Sequence, residues 1–338
     1  MDSIPFSGQP MPARFLIGQA VRVFRPVQTA WVALTLFFAS PIIMPAALAQ
    51  DDPPPLRVVT YNLLHDGAAS GFIEGDTHLE DRLEMVIREL KALDPDIVGL
   101  QEASDSRTHG NIAERLAQAL GFHVVFAPAT EHIFRLPPLD WAVVGAMGFK
   151  EGSAILSRFP IVDSEVTDLP RCRRWIEPRI LLRAEIATER GPLQVYSTHV
   201  ARGDECQMRR VGELVRERGW LGLSLLMGDF NTPETSQILT ALRLEAGFVD
   251  TFRVANPDAP GPTVWQRIDV EAPTASTRVD FILYLPGSAS SAVVRSSRVI
   301  LDRPGRLPDG RALWPSDHYG VLAEIDIQPL IRQGAEGR

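Results

Sequence analysis

The chain has 338 residues, 45% of them hydrophobic and 22% charged, a balance that gives a globular protein enough apolar side chain for a sizeable core. Its formal net charge of -8 excludes a general attraction to polyanions, so contact with nucleic acid or phospholipid would need a local basic patch or a bound metal. No Gly/Ser-rich linker, internal repeat or low-complexity tract divides it, which argues against a string of modules and for one large domain.

The first element is a leader. Arg14, Arg22 and Arg25 precede an apolar run from Trp31 to Leu48 that ends in Ala47-Leu48-Ala49, the pattern of a signal peptide over residues 1–49. Pro41 and Pro45 interrupt that run, and it is barely long enough to span a bilayer, so cleavage after Ala49 is expected in preference to anchoring. Residues 50–56 read as an exposed leader, 57–328 as the folded domain and 329–338 as a tail. A secreted or periplasmic monomer with no stable membrane span after processing is the expectation. In an oxidising compartment the only two cysteines, Cys172 and Cys206, are expected to join. Neither lies in a Cys-His signature that would make it a nucleophile.

Strand-like runs rich in Val, Ile, Leu and Tyr follow at Arg57–Asn62, Ile97–Gln101, His123–Ala127, Ser153–Leu156, Ile180–Ile186, Leu193–Thr198, Leu223–Met227, Val279–Leu285 and Tyr319–Ile325. Helices are expected where Leu83, Val86, Ile87 and Leu90 share a face before Asp94-Pro95, and at Asn111–Leu120, closed by Gly121. Two more are expected at Cys206–Arg218 and at Ser236–Ala246, before Gly247. Strands outnumber helices and often follow one another directly. That favours packed mixed or antiparallel sheets with outer helices over a doubly wound parallel sheet.

Polar residues stand at the ends of these runs, where a sheet hands the chain to a functional loop. They are Asn62, Glu102, His199, Asp229 with Asn231, Asp280 and Asp317-His318. Singly, each reads as readily as a cap or a structural histidine. Together they supply what phosphoester hydrolysis requires: a hard cation's ligands, a water-activating base, and donors for the charge that grows on phosphoryl oxygens. Glu102 and Asn62 are oxygen ligands suited to Mg²⁺, with Mn²⁺ as the alternative, whereas zinc would want clustered His and Cys. His318 is the candidate base, oriented by Asp280 or a neighbouring carboxylate that favours its imidazolium form. His199 and Asn231 would donate to the phosphoryl oxygens. Asp229 could position the water or serve the leaving oxygen. No partnered nucleophile is evident, so direct attack by water is expected.

In order, Thr60-Tyr-Asn-Leu-Leu, Val98-Gly-Leu-Gln-Glu, Gly152-Ser-Ala-Ile-Leu-Ser-Arg, Ser197-Thr-His, Gly228-Asp-Phe-Asn, Val279-Asp-Phe-Ile-Leu and Ser316-Asp-His-Tyr resemble the endonuclease/exonuclease/phosphatase superfamily. The resemblance implies a four-layer α-β-β-α sandwich with two central mixed β-sheets. It also implies Mg²⁺ at Glu102 with Asn62 nearby, His199 and Asn231 on the phosphate, Asp229 in proton transfer, and Asp280 paired with His318. Asp317 is carried over as a residue that touches the metal. Cys172 and Cys206 are similar to the cysteine pair of secreted bacterial sphingomyelinases. The family's nucleases often carry a tyrosine in the middle motif; here the run is Gly148-Phe-Lys-Glu-Gly-Ser-Ala, with Lys150 or Arg158 as candidate substitutes, the latter equally a salt-bridged structural residue.

Two local features stand apart. Arg171, Arg173, Arg174 and Arg179 cluster around Trp175, a composition that suits phosphate or stacked bases and suits a solvated loop equally. Ile133–Met147 is apolar and could dip into lipid or cover the cleft, though core packing is the expected fate. The expected activity is metal-dependent cleavage of a phosphodiester, in nucleic acid or a phospholipid head group. The alternatives are a phosphomonoesterase acting on a sugar or inositol phosphate and a non-catalytic binding module on the same fold.

Overall fold

A computed structural model describes residues 54–65, 78–172, 177–218 and 222–329. The expected signal peptide, the start of the leader, Arg173, Arg174, Trp175 and the tail from residue 330 lie outside the described residues. In chain order the elements open with β1 (Leu56–Asn62), α1 (Leu79–Leu93), β2 (Ile97–Ser106), β3 (Gly110–Asn111), α2 (Ile112–Leu120) and β4 (His123–Pro128). After a 3-10 turn at Ala129–His132 come α3 (Pro137–Met147), β5 (Phe149–Ser157), β6 (Ile161–Asp168), β7 (Ile180–Thr188), β8 (Gly191–His199) and α4 (Glu205–Arg218). The chain continues through β9 (Ser224–Asp229), α5 (Gln237–Leu244), β10 (Val249–Asp250), α6 (Thr251–Ala255) and β11 (Asp280–Leu285). It closes with β12 (Ser290–Ile300), β13 (Gly305–Arg306), β14 (Ala312–Leu313) and β15 (Gly320–Pro329).

Two mixed sheets carry the fold. One runs β12-β15-β1-β2-β5-β4, with β3 beside β2; the other runs β10-β11-β9-β8-β7-β6. Each holds one parallel pair, β1 with β2 and β8 with β9, among antiparallel neighbours. Alternation along the strands sorts their side chains into layers. Val58, Ile97 and Val321 of the first sheet meet Val195, Met227 and Ile282 of the second in an inner core. The opposite faces pack on helices: Val59, Leu100 and Leu322 against α1 and α2, and Tyr196, Leu226 and Leu283 against α4 and α5. Four layers result, as the resemblance implied. The sheets approach closely at Gly99, where any Cβ would fall 2.2 Å from the Met227 sulfur.

Helix ends follow their signals. Asn111 accepts from Glu114 N at 3.2 Å, Ser236 accepts from Leu239 N at 3.3 Å, and Gly121 and Asp94 turn left-handed behind α2 and α1. Domain limits shift slightly: Leu56, read as leader, pairs with Ile325, and Pro329, read as tail, pairs with Ser290.

Several elements carried no signal that the sequence reading used. Strands β6 and β12 are sheet edges with one face in solvent, so they lack the apolar runs of the central strands. Helix α6 is one short turn capped by Asp250. Helix α3 corrects an expectation outright: Ile133–Met147 does not pack into the core. Only Asp140 and Val144 of α3 are buried, while Leu139, Trp141 and Met147 stand in solvent with Phe134 and Leu136.

Candidate active site

The inner rows of apolar side chains continue, at one end of the sandwich, as polar ones. In β1 the row Leu56, Val58 becomes Thr60, Asn62; in β8 Leu193, Val195 becomes Ser197, His199; in β9 Leu225, Met227 ends at Asp229. Asp280 opens the corresponding row of β11 ahead of Ile282 and Tyr284. Register lays His199 beside Asp229 and Asp229 beside Asp280. Beneath them Gln101 joins the sheets, accepting from Thr60 Oγ1 at 3.3 Å and donating to Ser197 Oγ at 3.1 Å.

Glu102 reaches the same place by a bulge. Gln101 and Glu102 together stand opposite Ser153, and Glu102 takes φ 52°, so Ala103 resumes the strand facing the helix layer. The carboxylate is thereby turned to the mouth, where it accepts from Asn62 Nδ2 at 3.1 Å and His65 N at 3.3 Å. The Gly228–Asn231 turn is built as tightly: a Cβ on Gly228 would lie 2.0 Å from Thr198 O, and Asn231 is left-handed at φ 48°. Ser316 fastens the final loop, donating to Asn62 O at 2.8 Å and accepting from His318 N at 3.1 Å.

All eight candidate residues therefore converge. Asn62, His199, Asp229, Asp280 and His318 are buried, while Glu102, Asn231 and Asp317 are half-exposed at the mouth. His318 Nδ1 lies 2.9 Å from Asp280 Oδ2, and its Nε2 lies 3.7 Å from Asp229 Oδ2. Burial opposes charge on His318, but Asp280 and Asp229 outweigh it and push the imidazole up to about 10. Asp229 sits within a ring of donors: Asn231 N at 2.8 Å, Asn62 Nδ2 and Asn231 Nδ2 at 3.2 Å, and His199 Nε2 at 3.3 Å. Burial pushes its carboxyl up to about 7, with Asp280 adding to that rise and His318 opposing it.

His199 behaves oppositely. Burial holds its imidazole well below the usual range, aided by Arg179 and His318. Arg179 Nη1 lies 2.9 Å from His199 Nδ1, and a guanidinium only donates, so Nδ1 accepts and the proton sits on Nε2, facing Asp229. Arg179 is the functional candidate that the sequence reading left undecided inside a basic cluster. Folding the β7–β8 hairpin about Glu189-Arg190 narrows it down, since continuing the register that pairs Leu181 with Thr198 sets Ile180 opposite His199 and Arg179 one residue beyond, within reach of its ring. Lys150 and Arg158 do not stand in for the missing tyrosine. Lys150 is paired with Glu131 at 2.8 Å, and Arg158 with Asp94 and with Asp96 at 3.0 Å, the structural reading of that arginine.

The donor set at the mouth fits a hard divalent cation. Glu102 and Asp317 offer carboxylate oxygens, and burial together with the Glu102 charge pushes the Asp317 carboxyl up, the repulsion a cation between them would relieve. Asn62 fits less directly, because its oxygen accepts from Leu64 N at 3.0 Å while its nitrogen braces Glu102 and Asp229. Cys172 and Cys206 form a disulfide.

This is the fold of a family of phosphoester hydrolases. The model of the Endonuclease/Exonuclease/phosphatase family matches residues 59–318, and the chain belongs to that family. Its members are hydrolases of phosphoester bonds and are generally dependent on divalent metals. Among solved structures, a family member from Bacteroides thetaiotaomicron superposes with TM-score 0.63 at 22% identity, covering 82% of this chain and 100% of that one. A mannosyl-6-phosphatase from Bacteroides thetaiotaomicron VPI-5482 gives 0.61 at 23%, covering 80% and 99%. D. rerio TDP2, complexed with a single-strand DNA product, gives 0.58 at 18%, covering 80% and 98%. At these identities the likeness carries the fold. A search of curated proteins returned no match.

Proposed function

We propose that the chain is an exported, divalent-metal-dependent phosphodiesterase that hydrolyses its substrate by direct attack of water. The observation that carries this reading is the line His318–Asp229–His199–Arg179, with Asp280 behind it and two oxygen-donor carboxylates at the mouth. Glu102 and Asp317 would hold Mg²⁺ or Mn²⁺, with Asn62 bracing Glu102. The ion, when bound, polarises the phosphate and offsets its charge.

The electrostatics favour Asp229 over His318 as the base. An imidazole held charged by Asp280 and Asp229 has no lone pair to offer near neutral pH, whereas a carboxyl raised to about 7 is poised to accept a proton from water there. His318 then serves as a fixed cation that donates to phosphoryl oxygen, joined by the Nε2 proton of His199 and the Asn231 amide. The N-terminal pattern and the disulfide support export, and no helix among the described residues is long and apolar enough to cross a membrane.

Purified mature protein with Mg²⁺ should hydrolyse a chromogenic phosphodiester faster than the matching monoester. Plasmid DNA and sphingomyelin vesicles then rank the two diester substrates. A preference for the monoester would replace this reading with a sugar- or inositol-phosphate phosphatase. Absence of turnover on every substrate, with Mg²⁺ or Mn²⁺, would leave a binding module.

A further inference from the structure

Helix α3 is apolar on all sides yet lies on the surface. Five of its own and its leading side chains are exposed: Phe134 at 45%, Leu136 at 59%, Leu139 at 44%, Trp141 at 63% and Met147 at 42%. So many large apolar side chains exposed along one short segment mark a surface that something covers. The one acid of the helix, Asp140, is turned inward, where it accepts from Phe134 N at 2.7 Å and Leu136 N at 3.0 Å. The outward surface is thus left without negative charge.

The patch stands at the catalytic end of the sandwich. It leads directly into Phe149, whose ring meets His65 at 5.5 Å, and His65 N donates to Glu102. On its other side Arg135 donates to Leu169 O at 2.8 Å and Arg171 donates to His132 O, in the segment that runs on to Arg179. The α3 segment is thereby held between the start of β5 and the loop that follows β6. At its border Lys150 pairs with Glu131 at 2.8 Å and Arg135 with Asp168 at 3.6 Å, and Asp105 lines the same hollow as Trp141 and Arg107; Arg107 itself lies exposed against Gly145 O and makes no ion pair among the described residues.

We propose that α3 and the preceding Phe134–Leu136 turn are a docking surface for a phospholipid bilayer, seating the mouth of the site on the head-group layer. Apolar side chains led by a tryptophan enter the interfacial region, and the exposed Arg107 guanidinium meets anionic head groups. The substrate class that follows is a phospholipid diester; that part rests on the phosphodiesterase reading, whereas the docking does not.

The test separates the two. The full mature protein is incubated with vesicles of phosphatidylcholine, with and without phosphatidylglycerol, and its partition is compared with that of L136E/W141E, whose two positions are exposed enough to leave folding intact. Wild-type protein should partition onto the vesicles, more strongly with the anionic lipid, and the double variant should lose about tenfold per substitution. Hydrolysis of a soluble chromogenic diester should be equal in the two proteins, while hydrolysis of vesicle lipid falls with partition. Equal partition of both proteins would overturn the proposal. So would a wild-type dimer that the double variant dissolves, because a second copy would then be the cover. Vesicle binding without hydrolysis of any diester would sustain the docking surface and remove the phosphodiesterase reading instead.

Discussion

Arg179 donates to Nδ1 of His199 from 2.9 Å, which fixes the tautomer of the imidazole nearest Asp229. Burial keeps that imidazole neutral, and the guanidinium at Nδ1 places its single proton on Nε2, which lies 3.3 Å from Asp229 and 2.9 Å from the Asn231 amide nitrogen. Arg179→Met should lower kcat by about 10- to 100-fold, the usual effect of losing a group that orients a reacting side chain. Arg179→Lys should recover part of it. Nitrogen NMR of His199 supplies a readout that a merely structural role would not move: the Nε2-protonated form should give way to a tautomer mixture in the methionine variant. A wild-type tautomer with full activity would remove Arg179 from the site.

The raised values of Asp229 and His318 set a pH window. A base must be deprotonated, so activity should rise as pH climbs through about 7; His318 must be charged, so activity should fall as pH climbs through about 10. Asp280→Asn removes the neighbour that raises both, so both limbs of kcat/KM against pH should move to lower pH. An alkaline limb that stays in place would show that His318 is not the group being read.

Metal dependence divides the three oxygen-bearing candidates. Chelation should abolish turnover, and Glu102→Gln or Asp317→Asn should raise the Mg²⁺ concentration for half-maximal rate by about tenfold or more. Asn62→Ala should act chiefly on kcat, because its amide nitrogen braces Glu102 and Asp229 while its oxygen is held by Leu64 N. Titration of each variant with Mg²⁺ decides the matter, and a larger affinity loss in Asn62→Ala than in Glu102→Gln would make Asn62 a direct ligand.

Much of this site can be read in the sequence because Asn62, His199, Asp229 and Asp280 lie on the same rows as the inward apolar residues, in steps of two. Glu102 breaks that rule. Strict alternation after Ile97, Gly99 and Gln101 would aim it at the helices, and only the bulge opposite Ser153 turns it to the mouth. Edge strands β6 and β12 lack an apolar face, and α3 lacks a polar one, so in each case the periodicity that identifies an element is missing. Arg179 acquires its meaning only across the β7–β8 pairing.

The Cys172–Cys206 bond closes a loop over a sequence separation of 34, with Cα atoms 6.2 Å apart. It joins the segment leading to Arg179 to the first turn of α4, which follows His199. Gln207 spans the same two segments, accepting from Ala201 N and donating to Pro170 O, each at 2.9 Å. Closing such a loop stabilises the fold by about 3 to 4 kcal/mol, chiefly through the unfolded chain. Cys172→Ser/Cys206→Ser should therefore lower the denaturant midpoint by that equivalent. Because Gln207 still holds the two segments together, kcat should fall only a few-fold; adding Gln207→Ala should then cost more than the sum of the two separate losses. Denaturant curves with and without reductant, beside turnover of a soluble diester, measure both effects. An unchanged midpoint on reduction would show that the bond does not constrain this part of the chain, and additive losses would show that the disulfide and Gln207 act on different segments of it.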